Sequence, residues 1–159
     1  MTKDVSFSIL DNGLNFIATA LEHLGKPEQD IGENDIKYGI IHLWSGVELL
    51  LKARLQKEHW TLIIKDLSRG DEARYLDGDF VSVTFGESLQ RLKNYCGTDV
   101  EGDKLKRLNE LRVKRNKIVH FEFHDNKTAL MPLVADVVWF AINFAEKELA
   151  EDMEAEDIS

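Results

Sequence analysis

The segment Arg112-Val-Lys-Arg115-Asn116-Lys-Ile-Val-His120 gathers two arginines, an amide and a histidine into a short stretch of predicted helix. Arginine stays charged and forks onto phosphate oxygens. Histidine titrates near neutral pH and moves protons. An asparagine beside them can hydrogen-bond a phosphate or orient a ligand. These residue types suit metal-independent RNA cleavage, in which the 2′-hydroxyl attacks the adjacent phosphorus, histidine handles a proton and arginine stabilises the charged transition state. The candidate catalytic residues are therefore Arg115, Asn116 and His120, with Lys114 and Lys117 as substrate-binding cations.

The helix must position these groups, and its own pattern is broken. At about 100° per residue with Arg112 at zero, Leu105, Leu108, Leu111, Ile118 and Val119 fall at about 20°, −40°, −100°, −120° and −20°. Arg115, at about −60°, lies in the middle of that apolar stripe, while Asn116 and His120, at about 40° and 80°, sit along one edge. Such a stripe faces a core or a partner helix. A guanidinium there needs a partner, because an unpaired buried charge costs several kcal/mol. The second long helix has a matching exception. With Trp44 at zero, Glu48 falls at about 40°, among Ile41, Leu51 and Leu55, and Lys52 flanks it at about 80°. The simplest packing sets Glu48 against Arg112 or Arg115 as an orienting carboxylate. A buried ion pair without chemistry, or a Glu48–Lys52 pair along one helix, accounts for the same pattern. Arg115 and His120 stand about 140° apart around the helix. One helix then makes an awkward site, unless it unwinds near His120 or two copies share a cleft across a two-fold axis.

Other chemistries fit less well. His120 and His124 are four apart with Glu122 near, a spacing that could suggest zinc, but Phe121-Glu-Phe-His124 is followed at once by turn residues. Ser45-Gly46 lacks the strand–turn–helix context of a hydrolase nucleophile, and no glycine-rich phosphate loop is present. The expectation is no metal and no cofactor.

The chain has 159 residues, 43% of them apolar, with a net charge of −9, which fits one soluble globular domain with a sizeable core. The predicted domain covers residues 1–152, with an acidic tail at 153–159. No apolar run approaches the roughly 20 residues of a membrane span, and MTKDVSF lacks a signal-peptide pattern. The lone Cys96 suits a reducing cytoplasm, the expected location. The charge is uneven. Glu146 to Asp157 holds seven acids and one lysine, a net of −6, and Lys104 to Lys117 holds seven bases and one acid, a net of +6. A local basic stripe governs phosphate contact more than the total charge does, and its plainer explanation is a solvated helix face.

With two prolines and few β-branched runs, the predicted class is all-α. Asp11-Asn12-Gly13 reads as a turn, followed by a helix carrying Leu14, Ile17, Leu21 and Leu24 and ended by Gly25-Lys-Pro27. Asn34 or Asp35 caps a helix to about Lys57. Between Trp60 and Phe85 the helical period is lost, and Trp60–Ile64 and Phe80–Phe85 cluster like short strands. Residues 60–85 are expected as an irregular insertion or small hairpin that shapes substrate choice or binds a partner. Glu87 to Tyr95 reads as a short helix closed by Gly97. The motif helix begins near Asp103, and His124-Asp125-Asn126 turns the chain into a final helix from Lys127 or Leu130 to about Glu151, with Pro132 in its first turn or at a kink.

Arg115-Asn116-Lys-Ile-Val-His120 resembles the R-(polar)-x-x-x-H motif of HEPN domains (higher eukaryotes and prokaryotes nucleotide-binding). Glu110-Leu-Arg112 before it and the apolar helix after it also look like that family. So does Trp44-Ser-Gly-Val-Glu48-Leu-Leu-Leu-Lys52-Ala-Arg-Leu55, which is similar to its second helix. The resemblance covers roughly residues 5 to 150. It implies an up-and-down helical bundle that dimerises with the motif helices facing each other, and in active members a metal-independent endoribonuclease, often a toxin of a toxin–antitoxin pair or an abortive-infection effector against phage. It casts Arg115 as the phosphate-binding cation, His120 as general acid or base, Asn116 as polar helper and Glu48 as orienting carboxylate, with RNA as substrate and an antitoxin as a candidate partner. Members paired with a nucleotidyltransferase antitoxin commonly carry a tyrosine two residues after the histidine. Here Glu122 stands there, so control through modification of that tyrosine is not implied. Other members keep the fold without cleavage, and a non-catalytic module for dimerisation, nucleotide binding or protein binding is the second expectation.

Overall fold

Residues 4–156 are described by a computed structural model. Among them are six α-helices and no strand: α1 Ile9–Leu24, α2 Glu33–Glu58, α3 Glu72–Asp77, α4 Phe85–Cys96, α5 Gly102–His120 and α6 Lys127–Glu156. This is the all-α helical bundle class expected from the patterning. Contacts divide the chain into two compact units, one holding the residues up to Leu50 and from Glu101 onward, the other Leu51–Val100.

In the first unit, the Ser8 hydroxyl accepts the Asp11 N–H at 2.9 Å and starts α1 ahead of Asp11-Asn12-Gly13. The expected turn is therefore a stretch of helix. Its glycine serves packing: a Cβ on Gly13 would lie 3.2 Å from Leu49 Cβ, and one on Gly46 would lie 2.5 Å from Ile17 Cδ1 and 3.1 Å from the Gly13 carbonyl oxygen. α1 and α2 thus approach backbone to backbone, and bare glycines on both sides make room. Between them, the Asp35 carboxylate accepts from Lys26 at 2.8 Å, from His23 Nδ1 at 3.0 Å and from the Gly32 N–H at 3.1 Å. The Lys26 and His23 contacts, with the Gly32 amide, hold Asp35 far below the usual carboxylate range.

α6 is opened by Asn126, whose side-chain oxygen accepts the Thr128 N–H at 2.9 Å, the cap expected of an asparagine at that point. Pro132 is the sixth residue of α6, and the helix continues through it. Leu130, Leu133, Val134, Val137, Ala141, Phe144, Ala145 and Leu149 are buried, one helical stripe that packs in part along α5. α6 is also long and apolar enough to cross a membrane by length and composition, with a mean hydropathy of 1.6 over its most apolar window. This corrects the expectation of no such segment: isolated charges interrupt the apolar run without removing its overall apolar character. The burial of a single stripe is what a core helix shows. The predicted acidic tail is helical through Glu156, and its remainder lies outside the described residues.

In the second unit, the stretch from Trp60 to Phe85 is irregular, as expected, but its local structure differs. Trp60–Ile63 and Leu67–Arg69 are 3₁₀ turns, and α3 follows. The expected hairpin is reduced to one antiparallel bridge, Ile64 with Ser82. Side-chain oxygens of Asp66 and Asp71 accept backbone N–H groups from Ser68 and Arg74, and these local bonds win over strand pairing. The Arg91 guanidinium holds the segment from α4, donating to the carbonyls of Leu62 and Ile64 at 2.7 Å and of Lys65 at 3.2 Å. Thr84 and Glu87 form a capping box at the start of α4, and Gly97 closes that helix in the left-handed region.

Candidate active site

α5 carries the motif. Leu108 and Leu111 are fully buried and anchor its N-terminal half, whereas Val119 in its last turn is 46% exposed and Phe121 just beyond is 80% exposed. The predicted apolar stripe is therefore fully covered only in its middle, at Leu108 and Leu111, with Leu105 and Ile118 half-buried and Val119 exposed, and the motif extends onto the freer end of the helix.

Arg115 sits where the helical wheel puts it, and the expected partner is present. Its Nη2 lies 3.4 Å from Glu48 Oε2, and its Nη1 donates to Asn116 Oδ1 at 2.9 Å. Both belong to the first unit. Of the two arginines considered, Arg115 meets Glu48, and Arg112 is half-buried. The pair is not fully buried: side-chain exposure is 23% for Arg115 and 30% for Glu48. The guanidinium is thus oriented on two sides, by a carboxylate through a single contact and by an amide, and still reaches water.

His120 is the last residue of α5 and is exposed. The Phe121 N–H closes the helix on the Lys117 carbonyl at 2.9 Å before the chain turns extended. The helix does not unwind ahead of His120, so the angular separation of about 140° from Arg115 persists within one chain. Asn116 and Lys117 are exposed beside it. Lys114 is engaged with the Asp125 carboxylate, and that hydrogen bond holds Asp125 below the usual carboxylate range against the opposing effect of partial burial. Of the two lysines expected to bind substrate, Lys117 is exposed, while Lys114 is half-buried in its pair with Asp125. Lys52 lies in the second unit, where it donates to Ser82 Oγ at 2.9 Å. Among the described residues, no three or more His, Cys, Asp or Glu side chains come together as a metal site would require.

The chain matches no protein-family model, no curated protein and no solved structure.

One part of the site went unseen in the sequence. Directly after His120, a cavity of about 640 Å³ opens between the end of α5, the loop 121–126 and the start of α2. Phe121, Phe123 and Ile118 supply apolar wall, and Asn34, Lys37 and His124 supply polar edge. Lys127 braces one side by donating to the carbonyls of Glu28 and Ile31. The only signal for it was the alternation Phe121-Glu-Phe123 running straight out of the motif, too short to mark a strand.

Proposed function

We propose that this protein is a metal-independent endoribonuclease of the HEPN type, acting as a homodimer through its motif helix, of the toxin or anti-phage defence kind. The supporting observation is the oriented arginine. Arg115 is held by Glu48 and Asn116 yet remains open to water, on the same exposed helix end as His120. A guanidinium fixed in this way can meet the equatorial oxygens of a phosphate without first paying to order its side chain.

In the reaction, the ribose 2′-oxygen forms a bond to phosphorus and the bond to the 5′-oxygen breaks. One proton leaves the 2′-hydroxyl and one reaches the departing 5′-oxygen. His120 serves as base or acid in that exchange, and Arg115 balances the charge gathered on the phosphoryl oxygens. The unbroken helix keeps the two groups on different sides of one chain, so a second copy would bring His120 of one protomer towards Arg115 of the other. Lys117 would contact the RNA backbone. A cognate antitoxin would act by covering this surface.

The test is cleavage of RNA by purified protein in EDTA, wild type beside His120→Ala and Arg115→Ala, with products examined for 2′,3′-cyclic phosphate ends and oligomeric state followed by sedimentation. Cleavage lost in both variants, with folded dimers retained, is the expected result. The Glu48 contact favours one other reading, a non-catalytic helical module in which Arg115 is a structural ion-pair partner. That reading predicts a silent His120→Ala and a destabilised or monomeric Arg115→Ala.

A further inference from the structure

The cavity beside His120 has no role in the chemistry above, and its construction is specific. Its walls come from segments far apart in sequence, and each is tied down. Lys114 holds Asp125. Asn126 caps α6. Lys127 binds the carbonyls of Glu28 and Ile31, the latter at 2.8 Å. Asp35 pins the Gly32 amide at 3.1 Å. A pocket with fixed walls binds without paying to order them. Its volume of about 640 Å³ lies within the usual range for small-ligand sites. Phe121, one of its lining residues, leaves 80% of its surface in water, so its ring face is open to stacking. Asn34 offers both a donor and an acceptor, Glu33 accepts, and Lys37 and His124 complete the polar edge. A flat aromatic face beside polar groups that can read a heterocycle's edge is how single-stranded bases are bound.

We infer that this cavity is a purine-binding subsite that selects the base next to the bond being cut. The inference rests on the ribonuclease reading for its biological use, but not for its binding chemistry. Phe121 directly follows His120 in the chain, so a base stacked on Phe121 belongs to a nucleotide adjoining the scissile phosphate. Two-ring bases offer the larger face for stacking, which favours purines, and the Glu33 carboxylate can accept from the exocyclic amine that adenine and guanine carry and uracil lacks.

The experiment has two arms. In the first, the full chain is titrated with guanosine, adenosine, uridine and cytidine 3′-monophosphates while backbone amide shifts are recorded. Purine nucleotides should move Gly32, Asn34 and Phe121 to Asp125, and Phe121→Ala should weaken that binding about 5- to 150-fold, the 1–3 kcal/mol that base–aromatic stacking is worth. In the second, cleavage ends are sequenced for wild type, Phe121→Ala and Asn34→Ala. Wild type should cut beside purines, and both variants should lose that bias while still cutting. Shifts that cluster elsewhere, equal binding of all four nucleotides, or an unchanged cleavage profile in both variants overturns the subsite. Because Phe121 and Asn34 are exposed, neither substitution removes core packing. The two proposals fail separately. Purine binding at these residues without cleavage of any RNA sinks the nuclease and keeps the pocket, whereas His120-dependent cleavage without base preference does the reverse.

Discussion

Replacing Glu48 by glutamine tests how much of the candidate site is stability and how much is orientation. The sequence pattern, read as a buried ion pair, implies a cost of about 3–5 kcal/mol when one charge is removed. The geometry argues for much less. At 3.4 Å the two charges attract by roughly 5 kcal/mol at an effective dielectric constant of about 20, but that gross figure is offset by the desolvation and side-chain ordering the pair requires. The contact is single rather than bidentate, and with 23% and 30% of the two side chains exposed water competes for both groups. Partly exposed pairs of this kind contribute up to about 1 kcal/mol, and the glutamine keeps a neutral acceptor for Arg115. Glu48→Gln should therefore lower stability by about 1 kcal/mol, a fall in Tm of about 2–4 °C for a chain of this size. The assay is thermal and urea unfolding of wild type, Glu48→Gln, Arg115→Gln and the double variant, which isolates the coupling between the two positions. A loss of about 3 kcal/mol or more in the single variant would refute the argument, because it would mean that the pair is desolvated in solution. Zero coupling would refute it from the other side, by showing that the two groups do not act on each other. On the ribonuclease proposal, which gives Arg115 a role in the transition state, cleavage by Glu48→Gln well below the melting temperature should fall more in kcat than in KM.

Gly46→Ala should destabilise by about 1 kcal/mol, because overpacking costs 1–3 kcal/mol and improved helix propensity returns about 1 kcal/mol; the added Cβ would lie 2.5 Å from Ile17 Cδ1 and 3.1 Å from the Gly13 carbonyl oxygen, and the urea midpoint measures the outcome. Asp35 sets a specific acid sensitivity. Its folded carboxyl is held far below the ordinary value by Lys26, His23 and the Gly32 amide, so its contribution is complete above the unfolded value of about 3.9 and is lost as pH falls towards the folded one. Melting curves taken from about pH 5 down to about pH 2 should show a steeper loss in wild type than in Asp35→Asn.

Much of the fold was legible because long helices advertise themselves through apolar spacing. α2 and α5 fall close to their expected limits and α6 starts where expected but runs on to Glu156 through the predicted tail, and Gly97 and Asn126 act as the stops and starts their chemistry suggests. The failures share a cause. Asp11-Asn12-Gly13 reads as a turn by local chemistry, but the glycine answers to Leu49 and Leu50 across the interface, a contact that no local window contains. Trp60–Ile64 is apolar enough for a strand, yet it becomes a 3₁₀ turn held partly by Arg91 from α4. At the site, Arg115 and Glu48 were each visible as a charge on an apolar face, and opposite sign paired them. The extent of their burial was not visible, because it depends on how much of the last turns of α5 the rest of the fold covers. The cavity could not be anticipated either, since its walls meet only after the chain has closed on itself.

The brace of Lys127 on Glu28 and Ile31 spans 99 and 96 residues of sequence, and this has a consequence during synthesis. At roughly 5–20 residues per second, the loop that forms one wall waits about 5–20 seconds on the ribosome before the lysine that fastens it has been made. Until the start of α6 emerges, the loop is unfastened and the cavity beside His120 has no second side. A nascent or prematurely terminated chain therefore carries the motif helix without its finished pocket.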